Sequence, residues 1–283
     1  MSRALVTGAG GFVGRFAVQA LRDRGFDVFA VGRAEGDLLE AGTAERIVRE
    51  AGASHLLHLA WTTEQGRYWD DPANRDWVEA TARLVDAFEQ AGGRRVVFAG
   101  TCAQYEWGTD GPLSETTTPR RPATIYGRAK QDASEHVPET GATAILFFPY
   151  GPHERPERLI PSVARRVLAG EEAPTSAGTQ VRDFIHIADC RAALVALLES
   201  DVTGDVNVGS GEGTTVAEIA RAVARIAGSE ELLRLGALPG DDRTSVVAST
   251  ERLRDEVGFV PAFTLEAGLR DAVEWWRQRT RSR

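Results

Sequence analysis

Thr7-Gly8-Ala9-Gly10-Gly11-Phe12-Val13-Gly14 stands between a short apolar run, Ala4-Leu5-Val6, and a helical pattern from Phe12 to Arg24. In that pattern Val13, Phe16, Ala17, Ala20 and Leu21 recur at helical spacing. Glycines 8, 11 and 14 fall three residues apart. Gly8 permits a tight turn, Gly11 lets the backbone approach a pyrophosphate, and Gly14 lets the helix pack closely on the strand. The helix start then presents free N–H groups and partial positive charge to phosphates. Gly10, Phe12 and Val13 complete the cradle, although Val13 occupies the last position of a strict Gly-x-Gly-x-x-Gly pattern. After a strand and before a helix, the turn predicts a dinucleotide site.

The pattern outward from this turn agrees. Strand-like runs at 27–31, 55–60, 95–99 and 144–148 alternate with helical stretches at 44–50, 77–90 and 126–136. That alternation predicts an α/β fold, a Rossmann-type doubly wound parallel sheet with helices on both faces. Residues 1–150 are expected to form the NAD(P)-binding domain. Residues 151–283 are expected to be mainly a smaller substrate-binding lobe, with a segment around 181–200 returning to the first domain. Helices are expected at about 160–169, 189–199, 215–227 and 265–279, and residues 204–213 read as loop around one short strand. Trp275-Trp276 are expected to pack the last helix.

The second strand ends in Val31-Gly32-Arg33. An NAD site usually offers an acid there to the ribose 2′-hydroxyl. Gly32 offers nothing, and the Arg33 guanidinium suits a 2′-phosphate. NADP(H) is therefore the preferred expectation, with NAD(H) the alternative. Asp37 and Leu38 are assigned to the adenine, Leu59 and Ala60 to the border of the cofactor, and Phe148, Tyr126 and Lys130 to the same site, with Lys130 able to hold the nicotinamide ribose hydroxyls.

Composition narrows the partners. The 283 residues carry a formal net charge of -8, which argues against nucleic acid or an anionic membrane as the main partner. No apolar run is long enough to span a bilayer, and no secretory leader is expected, so a cytoplasmic setting follows. Cys102 and Cys190 are too few for a disulfide framework or a four-cysteine zinc site, and no metal is expected. Lysine and arginine together number 33, yet only Lys130 is a lysine. An arginine-rich genome explains the arginines but not the exception, because a compact ammonium does work that a planar guanidinium cannot always take over.

That lysine lies in Tyr126-Gly127-Arg128-Ala129-Lys130, four residues after Tyr126 and so one helical turn away on the same face. Acid–base work by a phenol near neutral pH needs its pKa, ordinarily about 10, lowered by roughly 2–3 pH units. A nearby ammonium and the oxidised nicotinamide would both lower it. Thr101, just past the fourth strand, is placed to donate to a substrate carbonyl. Cys102 lacks a spaced His–acid partner and is read as a wall residue.

These motifs together resemble the extended short-chain dehydrogenase/reductases, the NAD(P)-dependent epimerase/dehydratase family. The similarity runs from the glycine turn through His58-Leu59-Ala60, Thr101 and Tyr105, Tyr126 and Lys130. It continues through Tyr150-Gly151-Pro152, Arg182-Asp183-Phe184-Ile185-His186 and Val206-Asn207-Val208-Gly209. The resemblance implies a nucleotide-linked sugar as substrate, Tyr126 as acid/base, Lys130 as its partner and Thr101 as hydroxyl donor. Thr101, Cys102, Tyr126 and Arg182 would contact the substrate, Arg182 at its diphosphate. Helices 77–90 and 126–136 would form a homodimer contact. Three departures matter. Cys102 and Ala103 stand where the family's dehydratases carry Asp-Glu, Phe148 stands where many members have Asn, and a second diphosphate arginine falls near Pro239, leaving Arg234 or Arg243 to replace it. The expectation is a 4-ketoreductase of a nucleotide-linked 4-keto-6-deoxyhexose. The alternatives are a 4-epimerase that retains its cofactor, reduction of a carbonyl compound without a nucleotide, and a nicotinamide-binding regulator without catalysis.

Overall fold

The structure is a computed structural model, and it describes residues 2–64, 66–240 and 244–281. The first half alternates strand and helix: β1 (Arg3–Thr7), α1 (Phe12–Asp23), β2 (Asp27–Val31), α2 (Thr43–Ala51), β3 (His55–His58), α3 (Asn74–Gln90), β4 (Arg95–Thr101), α4 (Ile125–Ser134) and β5 (Ala142–Leu146). Then come β6 (Phe148–Tyr150), α5 (Leu159–Leu168), β7 (Ala173–Pro174), β8 (Val181–His186), α6 (Ile187–Glu199) and β9 (Gly204–Val208). The chain closes with β10 (Gly213–Thr215), α7 (Val216–Ala227), β11 (Leu233–Arg234), β12 (Ser245–Val246), α8 (Glu251–Asp255) and α9 (Leu265–Arg281).

Six strands form one sheet in the order β2-β1-β3-β4-β5-β9, with every neighbouring pair parallel. The two sides of this sheet are covered by different helices, as parallel sheets require. One cluster joins Ala17, Val18 and Leu21 of α1 to Ala193, Leu194 and Leu197 of α6. The other joins Ile47 and Val48 of α2 to Trp77, Leu84 and Phe88 of α3. The strand order reverses between β1 and β3. Ligands bind in such sheets at that point, outside the carboxyl ends of the strands.

One expectation is corrected here. The run 144–148 is not one strand: β5 ends at Leu146, and Phe148–Tyr150 leaves for a second sheet, pairing with β8. Pro149 lacks an N–H and suits this short edge strand. The one short strand expected within 204–213 is β9, and it forms the sixth strand of the main sheet. Its buried Asn207 works as a bracket. Its amide donates to the Leu113 and Ser249 carbonyls, and its carbonyl accepts from the Tyr105 hydroxyl. A third cluster, built from α5, α7 and α9, forms the C-terminal lobe around Val163, Ile219, Val223, Leu269 and Val273.

Candidate functional site

The glycine turn closes the end of β1. Gly8 lies at φ 70°, and a Cβ on it would stand 2.7 Å from Leu59 C and Ala60 N. A Cβ on Gly14 would stand 2.1 Å from the Gly8 carbonyl oxygen. Both positions therefore require glycine, and the turn packs directly on Leu59–Ala60. Gly10 and Gly11 are exposed, with nothing within 4 Å of a Cβ at Gly10. Gly11 caps α1 without a side-chain hydrogen bond, so the helix start is left for another acceptor. Phe12 and Val13 pack half-buried on the first core cluster. Small residues, an open helix start and a shallow rim fit a dinucleotide pyrophosphate. Beneath them the buried His58 ring links Thr7 Oγ1 (2.6 Å) to Thr81 Oγ1 (3.0 Å). Burial pulls its pKa down to about 3, with Lys130 adding to the effect, so it is a neutral strut.

The tip of β2 departs from the sequence reading. Arg33 is fully on the surface. The group that occupies the tip is Glu35, whose Oε2 accepts from the Gly32 N–H at 2.7 Å. A Cβ on Gly32 would lie 3.1 Å from that oxygen and 3.8 Å from Gly10 N, so the carboxylate faces the glycine turn. Glu35 stands three residues past Gly32, a glycine that leaves room for its carboxylate, which is the pattern that would point to it in the sequence. Asp37 Oδ1 accepts from Leu39 N, and Leu38 is buried in the second core cluster.

The proton-transfer residues come together at the ends of β4 and α4. Thr124 caps α4 by accepting from Gly127 N at 3.0 Å, and a Cβ on Gly127 would meet the Ala103 carbonyl at 2.3 Å, so α4 seats tightly beside the end of β4. Tyr126 is buried. Burial pushes its phenol above the usual tyrosine value, the Tyr68 phenol adds to this, and the nearby Thr101 side chain opposes it. The rings of Tyr68 (4.9 Å), Trp69 (5.7 Å) and Trp61 (6.4 Å) all meet Tyr126 edge-on. Lys130 shares the helix face but turns its amine elsewhere. It donates to the Ala99 carbonyl at 2.8 Å and lies 3.9 Å over the Trp61 ring and 4.6 Å over Phe98. Burial alone holds this amine well below the usual lysine value. The expected lowering of the phenol by the ammonium is thus absent from this geometry, because the amine is taken by a strand-end carbonyl and two aromatic faces.

Arg182 is buried, donates to the Val181 and Thr244 carbonyls at 2.8 Å each, and stacks over Trp107 (5.1 Å) and Phe148 (5.7 Å). Phe148 therefore stands on the Arg182 side of the site, beside Cys102 and Tyr105 in one apolar cluster. Burial pushes the Cys102 thiol up to about 12, which suits a wall residue and not a nucleophile. Arg234 is drawn to Glu172 at 2.8 Å, and Arg243 lies outside the described residues. Among the described residues no cluster of His, Cys, Asp or Glu is placed to hold a metal, and no helix is long and apolar enough to cross a membrane.

The model of the NAD dependent epimerase/dehydratase family matches residues 4–209. The chain is 29% identical to the UDP-glucose 4-epimerase of Corynebacterium glutamicum, over 96% of this chain and 94% of that protein. It is similar in fold to the Thermus thermophilus UDP-glucose 4-epimerase in complex with NAD, with a TM-score of 0.88, 28% identity and coverage of 97% and 99% of the two chains. It is also similar to MoeE5 in complex with UDP-glucose and NAD, with a TM-score of 0.84, 30% identity and coverage of 99% and 100%.

Proposed function

The chain belongs to the NAD dependent epimerase/dehydratase family, and we propose that within it the protein is a nucleotide-sugar 4-epimerase that keeps one NAD through each turnover. The observation that carries this reading is the Glu35 carboxylate, held at the tip of β2 by the Gly32 N–H and facing the glycine turn. A carboxylate there accepts from a free ribose 2′-hydroxyl and repels a 2′-phosphate. This favours NAD(H) over the NADP(H) read from Arg33. NADP(H) was the argument for net reduction, so the ketoreductase reading loses its main support. Relatives named UDP-glucose 4-epimerase and solved neighbours with bound NAD agree with the choice.

A dinucleotide held by the glycine turn and Glu35 would supply a reversible hydride acceptor and, when oxidised, a positive charge that favours the ionised phenol. Tyr126 takes the proton from the sugar 4-hydroxyl as the alcohol becomes a ketone. It then returns the proton to the oxygen when the ketone is reduced from the opposite face. Thr101 donates to that same oxygen and stabilises its charge. Lys130, over Trp61, would reach the nicotinamide ribose hydroxyls. The buried Arg182 guanidinium on Trp107 would hold the diphosphate. Asp37 would reach the adenine edge, whereas Leu38 supports that segment from the core. Because Cys102-Ala103 replace an acid pair, elimination of water is not part of this chemistry.

One observation favours the ketoreductase as a second reading: burial keeps the Tyr126 phenol protonated, as a proton donor to a ketone must be. Incubation with UDP-glucose and no added cofactor separates the two. Formation of the 4-epimer supports the epimerase. Turnover only of a 4-keto sugar, with stoichiometric loss of a reduced nicotinamide, supports the reductase. We also propose that α3 and α4, which pack side by side, meet the same pair of a second copy, giving a dimer that light scattering would register at twice the 30.6 kDa chain mass.

A further inference from the structure

His153 is the only non-glycine residue among the described residues with a positive φ, at 66°. An imidazole-bearing residue holds that backbone only when its surroundings fix it, and such residues gather at clamps and switches. Three contacts fix this one. Its Nδ1 accepts from Arg15 Nη1 at 2.8 Å, its ring meets Phe16 edge-on at 5.8 Å, and Trp275 lies 4.7 Å away. Burial, Arg15 and Arg279 all lower its pKa, which keeps the ring neutral and able to accept.

The position of Arg15 gives the contact its meaning. The same guanidinium donates to the carbonyls of Gly10 (3.2 Å) and Gly11 (3.3 Å), on the rim of the pyrophosphate cradle. Two residues along, Arg155 donates to the Thr63 carbonyl at 2.9 Å, in the segment that follows Leu59–Ala60. Residues 153–155 are therefore tied at one end to the glycine turn and at the other to the segment after β3. These are the two banks of the strand-order reversal. A dinucleotide lying along the seam between Gly8 and Leu59–Ala60 would run beneath this strap.

We infer that residues 153–155 form a latch over the dinucleotide cleft, with Arg15 and His153 as the positioning pair that holds it shut and slows cofactor release. The inference rests on the retained-NAD reading and explains how retention is achieved. Neither residue touches the reacting carbon. The effect belongs to dissociation, since a contact that forms after encounter changes the off-rate far more than the on-rate.

The test is release of NAD from the loaded protein after dilution, for wild type, Arg15→Ala, Arg155→Ala, His153→Gly and His153→Asn, with melting of each cofactor-free variant as a folding control. Wild type should hold NAD for many turnovers. Arg15→Ala and His153→Gly should release it at least about tenfold faster, Arg155→Ala should do likewise from the other end, and on-rates should be unchanged. His153→Asn, which tolerates the left-handed backbone and keeps an acceptor, should fall between. If wild type holds NAD and all four variants hold it equally well, the latch is refuted while the retained-cofactor reading stands. If wild type itself sheds NAD at every turnover, that reading fails and the latch fails with it.

Discussion

At the scale of single residues, the account turns on Tyr126, Lys130 and Glu35. Tyr126→Phe should cut turnover roughly 100- to 10,000-fold, far more than it weakens NAD, because it removes the acid/base hydroxyl. Steady-state kinetics beside a binding titration reads both; weakened NAD binding with normal turnover would count against the assigned role. Lys130→Arg keeps the charge, but the planar fork cannot enter the pocket between the Ala99 carbonyl, Trp61 and Phe98. Its turnover should collapse, and near-normal activity would contradict the use made of the lone lysine. Glu35→Ala should weaken NAD by about tenfold or more, in line with about 1.5 kcal/mol for a charge-assisted hydrogen bond, and bring NADP toward parity. Equal losses for both dinucleotides would remove Glu35 from the ribose. Tyr126, Lys130 and Thr101 can be nominated from the sequence because their spacing and the solitary lysine point to proton transfer. Glu35 is harder to nominate, because a turn, not a strand, brings its carboxylate to Gly32.

At the scale of elements, the glycine turn and the parallel sheet were readable from Thr7–Gly14 outward. Gly8 and Gly14 each answer a specific steric demand, and apolar runs alternate with helical spacing. The prediction at this scale is Gly14→Ala. Its Cβ would meet the Gly8 carbonyl at 2.1 Å, so α1 must shift and the cradle must open. NAD binding, followed by calorimetry, should be lost or fall by more than a hundredfold; full affinity would show that the close packing of α1 on the turn is dispensable. The separation of β6 from β5, and the place of β9 in the main sheet, were not legible, for opposite reasons. β6 continues an apolar run without a break, so only its pairing with β8 separates it from β5. β9 is interrupted by Asp205 and Asn207, polar residues whose partners come from distant segments such as Leu113, Arg120 and Ser249. A local pattern cannot announce partners that only the tertiary fold supplies.

At the scale of the whole molecule, the parallel strands bring the glycine turn, Glu35 and the Thr101–Tyr126 pair to one end of the main sheet. Glu154, buried beside Arg158, makes the stability of the fold depend on pH. Burial raises its pKa from the ordinary 4.5 to about 7, against the pull of Arg158. The neutral form is thus favoured in the folded chain, and its contribution to stability is full below about pH 4.5 and lost as pH rises through 7. Glu154→Gln should therefore flatten the decline in stability between those values, which denaturant titrations at several pH values would show. An unchanged slope would mean that Glu154 titrates normally. The most direct test of the central claim follows the fate of the hydrogen at C4. UDP-glucose deuterated there is incubated with the purified protein and no added dinucleotide. The account predicts a 4-epimer that retains the deuterium, since what leaves the carbon returns to it while Tyr126 exchanges only the hydroxyl proton. A product stripped of the label, or no product until a reduced nicotinamide is supplied, would contradict it.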